Sequence, residues 1–157
     1  MTCRKIMATS YRFAYSQEFI SIYGILGLQG KETMVMGTLR FTDLQTRPTE
    51  VLDLTSLTVD EFRQLVPPVE AAFQAHMASW RLDGKPRTAR RYTTYQNCPL
   101  PTPEERLWFL LVYLKTYSLQ VVQGRLFGMG QSKAHQWIHP LLVVLRATLR
   151  ALGDVPP

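Results

Sequence analysis

The sequence predicts an all-α protein: two helical halves, joined by a basic loop or short hairpin, with a helix-turn-helix unit at the C-terminal end. Three observations predict it. Apolar residues recur at helical spacing from Phe62 to Trp80 and again from Leu107 to Tyr117. Each run is preceded by a helix-start signature, Thr58-x-x-Glu61 in one case and Thr102-Pro103-x-Glu105 in the other. Finally, Leu119 to Leu149 reads as a helix, a tight turn at Gly128-Met129-Gly130 and a second helix.

Composition sets the frame. A chain of 157 residues with 46% hydrophobic content suits one domain of ordinary size, or a small domain with tails. Lys and Arg number 18 against 12 Asp and Glu, a net charge of +6 that favours a polyanionic partner. The distribution says more than the total. Between Arg106 and Ala151 there is no acidic residue, while Arg106, Lys115, Arg125, Lys133, Arg146 and Arg150 are positive. Cys3 and Cys98 are far apart and neither has a Cys or His nearby, so neither a disulfide framework nor a zinc site is expected. No run approaches the roughly 18 apolar residues that span a bilayer. The expectation is a cytoplasmic protein, associated with the nucleoid if it binds DNA.

Residues 1–36 have no sustained period and contain four methionines together with Gly24, Gly27 and Gly30. They read as a poorly ordered leader, with Met34 or Met36 an alternative start of translation. The first helical half, 37–80, becomes regular at Leu39. Pro48 opens a short helix through Leu54, a turn follows at Thr55-Ser56, and Thr58 with Glu61 forms a capping box. Phe62, Leu65, Val66, Val69, Phe73, Met77 and Trp80 then share one face. Pro67-Pro68 interrupts that run, and a helix-interior proline costs about 3 kcal/mol. Two helices, or one sharply kinked, are therefore expected there.

Residues 81–101 form a basic arm. Asp83-Gly84 is a turn signal, Arg81, Lys85, Arg87, Arg90 and Arg91 cluster around it, and Tyr92-Thr93-Thr94-Tyr95 favours extended chain. Such an arm lies along phosphates or enters a minor groove, and a solvated loop is the alternative. The last part, 102–157, starts with Thr102 as N-cap, Pro103 at the first helical position and Glu105 closing a second box. Leu107, Leu110, Leu111 and Leu114, widened by Trp108 and Tyr117, make the inward stripe of a helix behind the helix-turn-helix pair. In that pair Gly128 supplies the turn and Gly124 lets the two helices cross closely. Ala134 and Trp137 face inward, which leaves Gln131, Ser132, Lys133, His135 and Gln136 to meet bases or phosphates. Pro140 should bend the final helix. The apolar residues beyond it, Leu141 to Leu152, must pack on the domain, on another copy or on something that follows.

Enzyme signatures are lacking. His135 and His139 have the spacing of a zinc-protease H-E-x-x-H, but Gln136 replaces the glutamate that activates water, so contact with DNA or solvent is the better account. Gly128-x-Gly130-x-Ser132-Lys133 follows a helix rather than a strand, which disqualifies it as a phosphate loop. No Gly-x-Ser-x-Gly is present and the histidines have no evident nucleophile partner. No catalytic, metal or cofactor site is expected.

Four segments carry a resemblance to a known family: Pro103-Glu104-Glu105-Arg106-Leu107, Val112 to Tyr117, Phe127 to Ser132, and Gln136-Trp137-Ile138-His139. Together with Leu54 to Thr58 and Glu61-Phe62 upstream, they resemble the N-terminal region of bacterial insertion-sequence transposases of the DDE superfamily. The resemblance runs from about Leu39 to the C-terminus. It implies sequence-specific binding to the terminal inverted repeats of the element, as the non-catalytic part of a transposase. The family's cutting chemistry uses three carboxylates and two divalent ions, whereas after Glu105 only Asp154 remains. A separately encoded or frameshift-fused catalytic domain is thus the expected protein partner beside double-stranded DNA, with a homodimer also open. A transcriptional regulator and a helical protein–protein interaction module are the alternative functions.

Overall fold

A computed structural model describes residues 39–153; the expected leader lies outside them. Six helices follow in order: α1 (Phe41–Leu44), α2 (Pro48–Thr55), α3 (Val59–Ser79), α4 (Pro103–Thr116), α5 (Gln120–Leu126) and α6 (Gln131–Ala151). Among the described residues there is no strand, and the fold is all-α with its helix-turn-helix at the C-terminal end.

The local signals act largely as expected. Pro48 opens α2, and Ser56 turns the chain out of it at φ 63°. The Thr58 amide donates to Glu61 Oε2 at 2.9 Å and the Glu61 amide to Thr58 Oγ1 at 3.3 Å, so both halves of the capping box are made. The second box is only half made. Thr102 Oγ1 accepts from the Glu105 amide, but the Glu105 side chain points elsewhere, buried and accepting from the amides of Phe41 and Thr42. It caps α1, whose own N-cap residue Arg40 supplies no side-chain bond.

The two prolines do not divide α3, which runs unbroken from Val59 to Ser79. The carbonyls that lose their helical donors belong to Arg63 and Gln64, both on the exposed side of the helix where water can reach. Pro140 likewise lies within an unbroken α6, and the Gln136 carbonyl it frees is on the exposed side. The face of α3 is also shorter than expected. Phe62, Leu65, Val69, Phe73 and Met77 are buried, but Trp80 is 44% exposed because it ends the helix in extended backbone.

Helix α4 is the centre of the molecule, packed against α2, α3 and α6. Every side chain from Glu105 to Val112 is buried, so the helix has no single inward stripe. Tyr117 does not widen one: it ends α4 at φ 48° and is 60% exposed. Phe41, Phe62 and Trp108 form an aromatic cluster joining α1, α3 and α4, with ring centroids 4.3 to 6.2 Å apart. Phe73 of α3 stacks on Trp137 of α6 at 6.3 Å. The apolar end of α6 packs on the domain: Leu141, Val144, Leu145 and Leu149 are buried, and α6 lies along α3. Of the large apolar residues on that stretch, only Val143 and Leu152 are largely exposed. Both halves thus share one hydrophobic core.

Arg106 is the one cation buried in this core among the described residues. It donates to Glu70 Oε2 at 2.9 Å, lies 4.5 Å from the Phe73 ring centroid and is 3% exposed. It is therefore not available to a polyanion, contrary to the charge distribution read along the sequence.

Candidate nucleic-acid interface

The turn between α5 and α6 is built by backbone. Gly128 adopts φ 68°, a conformation that costs a residue with a Cβ about 1 kcal/mol or more. The Met129 amide donates to the Gly124 carbonyl at 2.8 Å. A Cβ on Gly124 would stand 2.6 Å from the Met129 oxygen. The close approach that needs this glycine is thus to the turn itself, not to the second helix. Phe127 is buried below the turn, its ring edge on Phe109 at 4.9 Å.

Gln123, which no sequence pattern singles out, fixes α5 to α4. Fully buried, it donates through Nε2 to the Phe109 carbonyl at 2.8 Å and accepts at Oε1 from Ser118 Oγ at 2.8 Å. Only the neighbouring apolar positions hint that a polar residue here points inward. At the other end of α5, the Leu39 amide donates to the Leu126 carbonyl at 2.7 Å, tying the start of the described chain to the same unit.

Helix α6 presents two faces. Ala134, Trp137, Ile138 and Leu141 are buried, whereas Gln131, Ser132, His135, Gln136 and His139 are exposed and Lys133 is half-buried. Its N-cap, Gly130, supplies no side-chain bond and its first turn holds no acidic residue. The amides of that turn, at the positive end of a 21-residue helix, are therefore open to an anion. His135 Nδ1 lies 3.2 Å from Gln120 Oε1, a contact in which the ring nitrogen donates to the amide oxygen. The His135 and His139 rings are 4.3 Å apart. Among the described residues no group of three His, Cys, Asp or Glu is placed to hold a metal ion.

The basic arm is a docked hairpin. The Arg81 amide donates to the Lys85 carbonyl at 2.8 Å, the Arg87 amide to Ser79 at 2.8 Å, and Gly84 turns at φ 77°. Its cations divide by role. The Arg87 guanidinium bonds the carbonyls of Met77, Trp80 and Arg90, which clamps the hairpin to the end of α3. Arg81 pairs with Asp83 at 3.4 Å, while Lys85, Arg90 and Arg91 are exposed. Tyr92 sets its ring edge against Phe73 at 5.3 Å, and burial raises the pKa of its hydroxyl. Three residues on, Tyr95 lies under the Lys133 ammonium, 5.3 Å from ring centroid to Nζ. The arm and the first turn of α6 therefore meet.

A buried-backed helix with a polar outer face, set on a glycine turn by a shorter helix, is the geometry of a major-groove reader. Residues 98–151 match a family model, the helix-turn-helix of DDE superfamily endonuclease. The matched residues take in the end of the arm, α4, α5 and α6. The upstream segment from Leu54 to Phe62, part of the resemblance read from the sequence, lies outside the matched residues. No curated protein and no solved structure matches the chain. No helix among the described residues is long and apolar enough to cross a membrane.

Proposed function

We propose that the chain binds double-stranded DNA sequence-specifically, as the non-catalytic recognition part of a transposase whose targets are the terminal inverted repeats of its element. The observation that carries this is the outer face of α6. Gln131, Ser132, His135 and Gln136 stand exposed together at an uncapped, acid-free helix start, inside the stretch that matches the DDE-type helix-turn-helix. Glutamines there pair bidentately with adenine, and serine or histidine can meet a base edge or a phosphate. Lys133, Lys85, Arg90 and Arg91 supply phosphate contacts, Arg81 joins them on leaving Asp83, and Arg87 holds the hairpin that presents them. Strand cutting belongs to a separate domain, fused or separately encoded.

Fluorescence anisotropy with a duplex carrying the repeats that flank the gene tests this against a scrambled duplex. Preference for the repeats should fall by about 1–3 kcal/mol at one base position on Gln131→Ala or Gln136→Ala. Lys85→Ala and Arg91→Ala should weaken both duplexes alike and flatten the salt slope by about one unit each. Equal affinity for both duplexes would refute the specificity, and no binding at low salt would refute the function.

A further inference from the structure

The geometry points to Tyr95 as a positioning residue that holds Lys133 in place for DNA, an inference that rests on the reading of α6 as the recognition helix. Lys133 is the third residue of α6, in the turn that enters a groove first. A lysine there ordinarily samples many rotamers, and ordering it costs up to about 2 kcal/mol. Here the side chain is half-buried and its ammonium lies over the Tyr95 ring. Among the described residues no carboxylate pairs with it. The difference matters chemically. A carboxylate would neutralise the lysine and take up its donors, whereas a ring face restrains the ammonium and leaves both charge and N–H groups for a phosphate or a guanine.

Tyr95 is anchored through its backbone, the residue itself being 41% exposed. Its carbonyl accepts from the Cys98 amide at 3.0 Å, and Cys98 and Leu100 are buried just beyond. Tyr92, three residues earlier, rests on Phe73, which stacks on Trp137. Lys133 and Trp137 are four residues apart and so neighbours on one face of α6. The two tyrosines of the arm thus address the same face of the helix. One acts through the core, the other directly on the lysine.

The test is a double-mutant cycle on DNA affinity, measured by anisotropy at several salt concentrations with thermal melts of each protein as a fold control. Lys133→Ala should weaken binding and lower the salt slope by about one unit. Tyr95→Ala should weaken binding about 2- to 5-fold without changing the melt. Tyr95→Phe, which keeps the ring, should bind as the parent does. The double variant should bind no more weakly than Lys133→Ala alone. Additive losses would overturn the inference, because Tyr95 would then act independently of Lys133. A Tyr95→Phe variant as weak as Tyr95→Ala would overturn it too, since the hydroxyl rather than the ring would matter. Both results leave α6 as the reader intact. A Lys133→Ala variant that binds unchanged would likewise overturn the inference, whereas a parent protein that fails to bind removes the reading beneath it.

Discussion

Gly124→Ala should be destabilising although it replaces a helix-interior glycine with the best helix former. On propensity alone the change gains about 1 kcal/mol. The structure sets a steric cost against that gain. The new Cβ would stand 2.6 Å from the Met129 carbonyl oxygen and 3.2 Å from both the carbon and the oxygen of the Gly130 carbonyl. These are backbone atoms of the turn, so no side chain can swing aside. Relief requires α5 and the turn to separate, which strains the 2.8 Å bond from Met129 to Gly124 and lifts Phe127 from its buried seat. Overpacking of this kind costs typically about 1–3 kcal/mol, for a net loss of up to about 2 kcal/mol. Gly130 is the matched control, because a Cβ there meets nothing within 4 Å and its φ of −72° suits any residue. Urea unfolding followed by far-ultraviolet circular dichroism should show the Gly124→Ala midpoint lowered and that of Gly130→Ala close to the parent. A Gly124→Ala protein as stable as the parent would show that the turn yields freely, and the close-approach argument would fail.

Removing Glu70 should cost about 3 kcal/mol, since Glu70→Ala leaves the Arg106 guanidinium buried without its counter-charge. The pair replaced together, Glu70→Leu with Arg106→Met, should lie nearer the parent in chemical denaturation than either single change, and strict additivity would contradict the coupling. Gln123→Ala should lower stability by about 2 kcal/mol by removing one buried and one part-buried hydrogen bond, readable as a lower melting temperature. Burial raises the pKa of Glu105 above its usual 4.5, against the opposing effects of Arg40 and of the two amides it caps. The folded state therefore holds that proton more tightly than the unfolded chain. Its contribution is fully present below about pH 4.5 and lost as pH rises through the folded value. The stability of the parent relative to Glu105→Gln should fall over that window and then level off; a difference that rose with pH would count against it.

The helices and their start signals were legible in the residues because capping and amphipathic spacing act over three or four positions. Thr58 with Glu61, Pro48 at the head of α2, and Ala134 with Trp137 on the inner face of α6 needed no tertiary information. The division of α3 at Pro67 and Pro68 does not occur, because the cost of a helix-interior proline depends on whether the freed carbonyls can face water. Glu105 had the spacing for a local bond, yet a distant helix start offered it two amides and outcompeted the N-cap.

By itself the sequence determined the all-α class, the glycine turn and which side chains of α6 are polar, since each depends on chemistry within a few residues. Only the tertiary structure decided which charges face outward. Arg106 and Arg87 look like the other basic residues along the chain, but one is buried against Glu70 and Phe73 and the other clamps a hairpin. It also decided that Tyr95 meets Lys133, a contact between residues 38 positions apart that no local pattern encodes. The physical reason is the same in each case. Backbone geometry and capping are short-range, whereas the worth of a charge depends on how much water and which partners surround it once the chain has closed on its core.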